Sequence, residues 1–151
     1  LSLSRLKNLM LYLLENLQDV WFTKMNKLLF YVDFLSYREN GMAISGLSYK
    51  AIDFGPVPVR WDVIYSEFDE IHQELRNVGD FVGSVLTSTD KADLSLFTES
   101  EIKVMEAIIA KFNNTSPRDL SQLSHKESAW TKHHDRHETI PFSEAFSLIA
   151  V

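Results

Sequence analysis

Cysteine is missing altogether from the 151 residues. That excludes a disulfide framework and a thiolate metal site, and it suits a reducing compartment, so the cytoplasm is the expected location. Glycine and proline are sparse, at 5 and 4 residues. Gly79 and Gly83 stand too far apart from other glycines to build a phosphate loop or a dinucleotide turn, and no nucleophile elbow is present. No apolar run approaches the roughly 20 residues of a membrane span, and nothing within these residues resembles a signal peptide. Positive charge is also in deficit. Fifteen Lys and Arg face 21 Asp and Glu, a net charge of −6, which argues against a general nucleic-acid surface because backbone binding needs a positive face.

What is present is apolar and helical. With 45% hydrophobic residues, a chain of this length fits one domain, 1–151, able to bury about 70% of its unfolded surface. Its first residue is Leu1 and not Met, so a preceding segment outside this sequence is expected. Lys24 to Arg38 places Met25, Leu28, Leu29, Val32 and Leu35 on one arc at i, i+3, i+4, i+7 spacing, while Phe30, Phe34 and Tyr37 fall opposite. A helix apolar nearly all round belongs inside the domain. Lys27 and Asp33 are the charges to watch on it. The expectation is that Lys27 snorkels to the surface and that Asp33 accepts hydrogen bonds from a neighbouring loop.

Around this helix, Leu3 to Leu17 reads as an amphipathic helix, with Asn8 on its outer face. Thr23 is expected to cap the central helix and Asn40-Gly41 to close it. Leu47, Tyr49 and Ala51 alternate as in a short strand. Gly55-Pro56-Val57-Pro58 is expected to be an irregular, proline-stiffened loop, followed by a helix from Val59 to about Arg76. Phe81 to Leu86 and Leu94 to Phe97 read as strands around a polar turn. Thr98 and Glu101 form a capping box before a helix whose buried stripe is Ile102, Met105, Ile109 and Phe112. Ser116-Pro117 restarts a helix. Short helices are expected from Ser124, which would act as N-cap, and from Phe142 to Val151. The fold class is mainly α (α+β), a single-domain helical bundle around a buried central helix with a small antiparallel sheet.

His125, His133, His134 and His137 raise the question of metal. His133 and His137 at i, i+4 would share a helix face, the basis for an alternative reading as a metal-dependent hydrolase. No third ligand or general base has a motif, and Lys132 and Arg136 disfavour a nearby dication. We assign no catalytic residue, no metal ligand and no cofactor.

Five pieces in order carry a resemblance: the helix core Lys27-Leu-Leu-Phe-Tyr-Val-Asp33, then Ile44-Ser-Gly-Leu-Ser-Tyr49, Gly55-Pro56-Val57, Thr98-Glu-Ser-Glu101, and Leu123-Ser-His125 followed by Glu127 and Trp130. Together, from about Val20 to Trp130, they resemble the SocA-like antitoxin domain, or Panacea domain, of bacterial and phage toxin-antitoxin systems. The resemblance implies a non-enzymatic, cytoplasmic antitoxin that neutralises a cognate toxin by binding it. One branch of the family implies an alternative, an adaptor delivering its toxin to an ATP-dependent protease. DNA would be contacted only through a segment not present here, and no membrane is involved. The expected partner-binding residues are Lys27, Tyr31, Asp33, Tyr49, Gly55, Pro56, Val57, His125 and Trp130; Tyr49, Trp61 and Trp130 are candidate aromatic anchors beside the proline loop, with a place in the core as the alternative for all three and the favoured one for Trp61 and Trp130.

Overall fold

The computed structural model describes residues 2–151; Leu1 lies outside them. Its centre is α2 (Phe22–Asn40), in which every residue from Lys24 to Ser36 is buried. One hydrophobic cluster surrounds it. The helix α1 (Leu3–Asn16) contributes Leu6, Leu9, Met10 and Leu13, each at most 1% exposed. Asn8 does not face outward as expected. It is buried because its side chain ties a distant loop, accepting from the Asp93 amide at 2.8 Å.

The ends of α2 follow from local chemistry, one as expected and one not. Gly41, at φ +77°, donates its amide to the Tyr37 carbonyl as the left-handed C-cap. Thr23 is not the N-cap; Trp21 holds that position, with no capping bond from a side chain, because the two-residue strand β1 (Val20–Trp21) runs straight into the helix.

Two small antiparallel sheets flank the helices. The strands β2 (Tyr49–Ile52) and β3 (Gly55–Pro58) pair in register, Lys50 opposite Val57 and Ile52 opposite Gly55. The expected irregular loop is therefore a buried strand. Its prolines fall on alternate positions, leaving Gly55 and Val57 with amide donors between them. The other edge of β2 is covered by the chain near Thr139, where the Ile140 amide donates to the Tyr49 carbonyl at 2.8 Å.

The expected helix from Val59 to Arg76 does not form. A single 3-10 turn at Ile64–Glu67 buries Tyr65, and the chain then becomes β4 (His72–Val78). That strand pairs with β5 (Phe81–Thr87), which also pairs with β1, giving the order β1-β5-β4. Leu94 to Leu96 is likewise a 3-10 turn and not a strand.

The last helices are α3 (Glu99–Phe112), α4 (Pro117–Ser124) and α5 (Ser128–Thr131). The capping box of Thr98 and Glu101 is present in both directions. The inward stripe of α3 is rotated by a residue from the expected one. Val104, Met105, Ile108 and Phe112 are buried, whereas Ile102 and Ile109 are half-buried. Ser116 caps α4 through the Asp119 amide, with Pro117 at the first helical position. Ser124 ends α4 and is not a cap, and the segment after Phe142 is 3-10.

Candidate partner-binding site

Three polar groups on α2 fix what surrounds it. Asp33, fully buried, accepts from the amides of Ile44 and Ser45, both at 2.8 Å, from the Ser45 hydroxyl, and from the Tyr49 hydroxyl at 2.5 Å. The expectation of a loop-binding carboxylate holds, and Tyr49 closes the same network. Burial pushes the Asp33 carboxyl up from its ordinary range, while these donors pull it back down. Tyr31, two residues earlier and so on another face of the helix, donates to Glu127 at 2.9 Å, and burial raises its phenol first, with the Glu127 charge adding to it. Asn26 accepts from the Tyr65 hydroxyl.

Lys27 departs from expectation. It does not snorkel: the residue is 2% exposed, and desolvation alone lowers its ammonium from 10.5 to about 8. No hydrogen bond or ion pair to it is present among the described residues. Gly55 packs over it, at φ +104°, so close that a Cβ there would meet Lys27 Cε at 2.7 Å and the Ser124 hydroxyl at 3.0 Å. This is the physical reason for glycine at the start of β3.

The turn between β2 and β3 is the exposed part of the hairpin. Asp53 and Phe54 protrude, Phe54 being 63% exposed, whereas Gly55, Pro56 and Val57 are buried. His125, just past the end of α4, and Trp130 of α5 brace this turn. His125 Nε2 lies 3.2 Å from the Asp53 carbonyl oxygen, and Trp130 Nε1 donates to the Ile52 carbonyl at 2.7 Å. Their rings meet edge to face at 4.3 Å. Burial lowers the His125 imidazole, the nearby Lys27 and His134 charges push it further down, and the Asp53 carbonyl opposes them.

A cleft of about 520 Å³ opens beside the turn, lined by Trp21, Thr23, Lys27, Asp53, Phe54, Val78, the first turn of α4 from Ser116 to Arg118, Ser121 and His125. Of the residues expected to bind a partner, this cleft brings together Lys27 and His125. Tyr31, Asp33 and Tyr49 are interior, and the full burial of Tyr49 favours its reading as core over surface anchor. Trp61 is half-buried, edge-on to Phe22 and Phe54. Sequence reasoning gave Trp21, Val78 and Arg118 no part in a site. Phe54, directly before Gly55-Pro56, was the one with a local signal.

The histidine segment does not converge. His133 and His137 share no helix face, because His134–Arg136 is a 3-10 turn and His137 takes a left-handed conformation, φ +49°. His133 pairs with Glu138 at 3.3 Å, His134 stacks on Trp130 at 4.1 Å, and His137 meets Asp53 at 3.1 Å. Among the described residues no three His, Cys, Asp or Glu side chains are grouped to hold a metal ion. No helix among them is long and apolar enough to cross a membrane.

The family model described as antitoxin SocA-like, Panacea domain matches residues 25–131. The chain belongs to this family. No curated protein and no solved structure matches it.

Proposed function

We propose that the chain is an antitoxin-type binding module that neutralises a cognate toxin by binding it directly. The observation that carries this reading is the family match over residues 25–131, which spans most of α2, the strands β2 to β5, and α3 to α5. The same membership supports a non-catalytic role. The scaffold suits recognition, because the β2–β3 turn is held by hydrogen bonds from His125 and Trp130 and rests on buried side chains. Asp33 and Tyr49 anchor the approach to β2, Gly55, Pro56 and Val57 form the buried half of the hairpin, and Tyr31 ties α2 to Glu127. In this reading those residues position the site, while Lys27, Phe54, His125 and the exposed edge of Trp130 face the partner. A surface ordered before contact loses little conformational entropy on binding.

The test is coexpression with the product of the reading frame adjacent to this chain's gene. Growth inhibited by that product alone should be restored by this chain, and the two proteins should copurify. Restored growth without copurification would favour delivery of the toxin to an ATP-dependent protease, and no effect on growth would remove the antitoxin reading.

A further inference from the structure

Two lysines on α2 are buried, and only one is satisfied. Lys24, 4% exposed, donates to the carbonyls of Phe112 and Thr115 at 2.9 and 2.7 Å, where α3 ends. Lys27, one turn on, is more deeply buried and has no partner among the described residues, yet it borders the cleft. A desolvated ammonium without a counter-charge is an unfavourable arrangement for folding alone. It is a favourable one for receiving an anion, since Coulombic attraction strengthens as water is excluded.

The walls indicate which anion. Trp21, Phe54, Val78 and Pro117 are apolar, and the exposed Arg118 adds a second cation at the rim. Asp53, the acid in the lining, is already engaged by His137. Phosphate would want several converging donors. The adjoining helix start offers only the Arg118 amide, because Pro117 has no amide hydrogen, the Asp119 amide is taken by the Ser116 hydroxyl and the Leu120 amide by the Ser116 carbonyl. One ammonium set in an aromatic groove suits a carboxylate carried next to an apolar side chain.

We propose that this cleft seats an acidic side chain of the toxin, flanked by an apolar residue, with its carboxylate paired to Lys27. The inference rests on the reading of the chain as a toxin-binding antitoxin and names the contact through which it acts. Occupancy restores the missing counter-charge, so the pair is worth more to the complex than an exposed salt bridge. The lowered affinity of Lys27 for its proton means that binding weakens as pH rises past about 8.

Two experiments decide it. The isotopically labelled protein is titrated with N-acetylphenylalanine, with its uncharged amide, and with inorganic phosphate. The acid alone should shift the amide signals of Phe54, Ser121 and His125 saturably, and Lys27→Met should abolish the shifts. Equal shifts from the amide, an equal or stronger response to phosphate, no shift with any probe, or unchanged binding by Lys27→Met would overturn the proposal. In coexpression, Lys27→Met, verified as folded by circular dichroism, should lose at least tenfold in toxin affinity and fail to restore growth. If that variant neutralises as well as the wild type, the cleft assignment falls and the antitoxin reading stands. If the wild type itself fails to neutralise, the antitoxin reading falls and the titration still decides what the cleft binds.

Discussion

Lys24 and Lys27 show how little residue type alone reveals about a buried charge. Both follow the apolar rhythm of α2, and nothing in the local sequence distinguishes the one that meets two carbonyls from the one that meets none. The expectation that Lys27 would snorkel failed because Gly55 and Ser124 close over its stem, a contact between positions far apart in the chain. A measurable consequence follows from its proton affinity. The folded-state value, about 8, lies below the unfolded value of 10.5, so the unfolded chain holds more protons between those limits and stability rises with pH there. Below pH 8 both states are charged and the penalty is constant. Urea unfolding should show Lys27→Met more stable than wild type at pH 7 by about 1–4 kcal/mol, and that gap should narrow by about 3 kcal/mol from pH 8 to 10.5. Asp33 is the opposite case, a buried carboxylate whose role as a loop acceptor was legible in the sequence. Asp33→Ala strands two amides and two hydroxyls, so it should cost about 3–5 kcal/mol in the same assay. Asp33→Asn, which keeps one carbonyl oxygen, should cost less.

At the scale of elements, legibility tracked how local the governing interactions are. The amphipathic α1, the buried α2, the left-handed stop at Gly41 and the capping box of α3 are all set by residues within four positions of one another, and they were readable. The stretch from Val59 to Arg76 was not. Its apolar spacing matches a helix, but the backbone hydrogen bonds of His72–Val78 go to β5 across the turn at Gly79, and such pairing leaves no period-3.6 signature. Leu75, within the stretch expected to be helical, is 75% exposed on the edge strand for this reason. The prolines of β3 misled in the other direction, since missing donors forbid a strand only where the register needs them. The capping box offers a quantitative check. Thr98→Ala should cost about 1 kcal/mol, measured as a drop in urea midpoint with unchanged slope. Glu101 also pairs with Arg5 at 2.5 Å, so faster hydrogen exchange should extend from the first turn of α3 to the start of α1.

Across the whole molecule, one buried acid joins the helical centre to the closing segment. Glu127, fully buried, accepts from the Tyr31 hydroxyl at 2.9 Å and from the amides of Ile149 and Ala150 at 2.8 and 3.1 Å. The residue belonged to the motif that suggested the family, while its partners near residue 150 were invisible in sequence. Glu127→Ala should release this segment, with hydrogen exchange at Ile149 and Ala150 rising by at least tenfold and global stability falling by about 3 kcal/mol. The site was legible in part. Lys27, His125 and the stretch Gly55 to Val57 were named from the sequence, the last as an irregular loop and not as a strand, and the cleft that Lys27 and His125 share with Trp21, Val78 and the start of α4 comes from tertiary packing. The most direct measurement is the amount and half-life of the toxin in cells rescued by this chain. Neutralisation by binding predicts intact toxin of unchanged half-life, recovered in a stoichiometric complex with the chain. Rescue accompanied by disappearance of the toxin would contradict it.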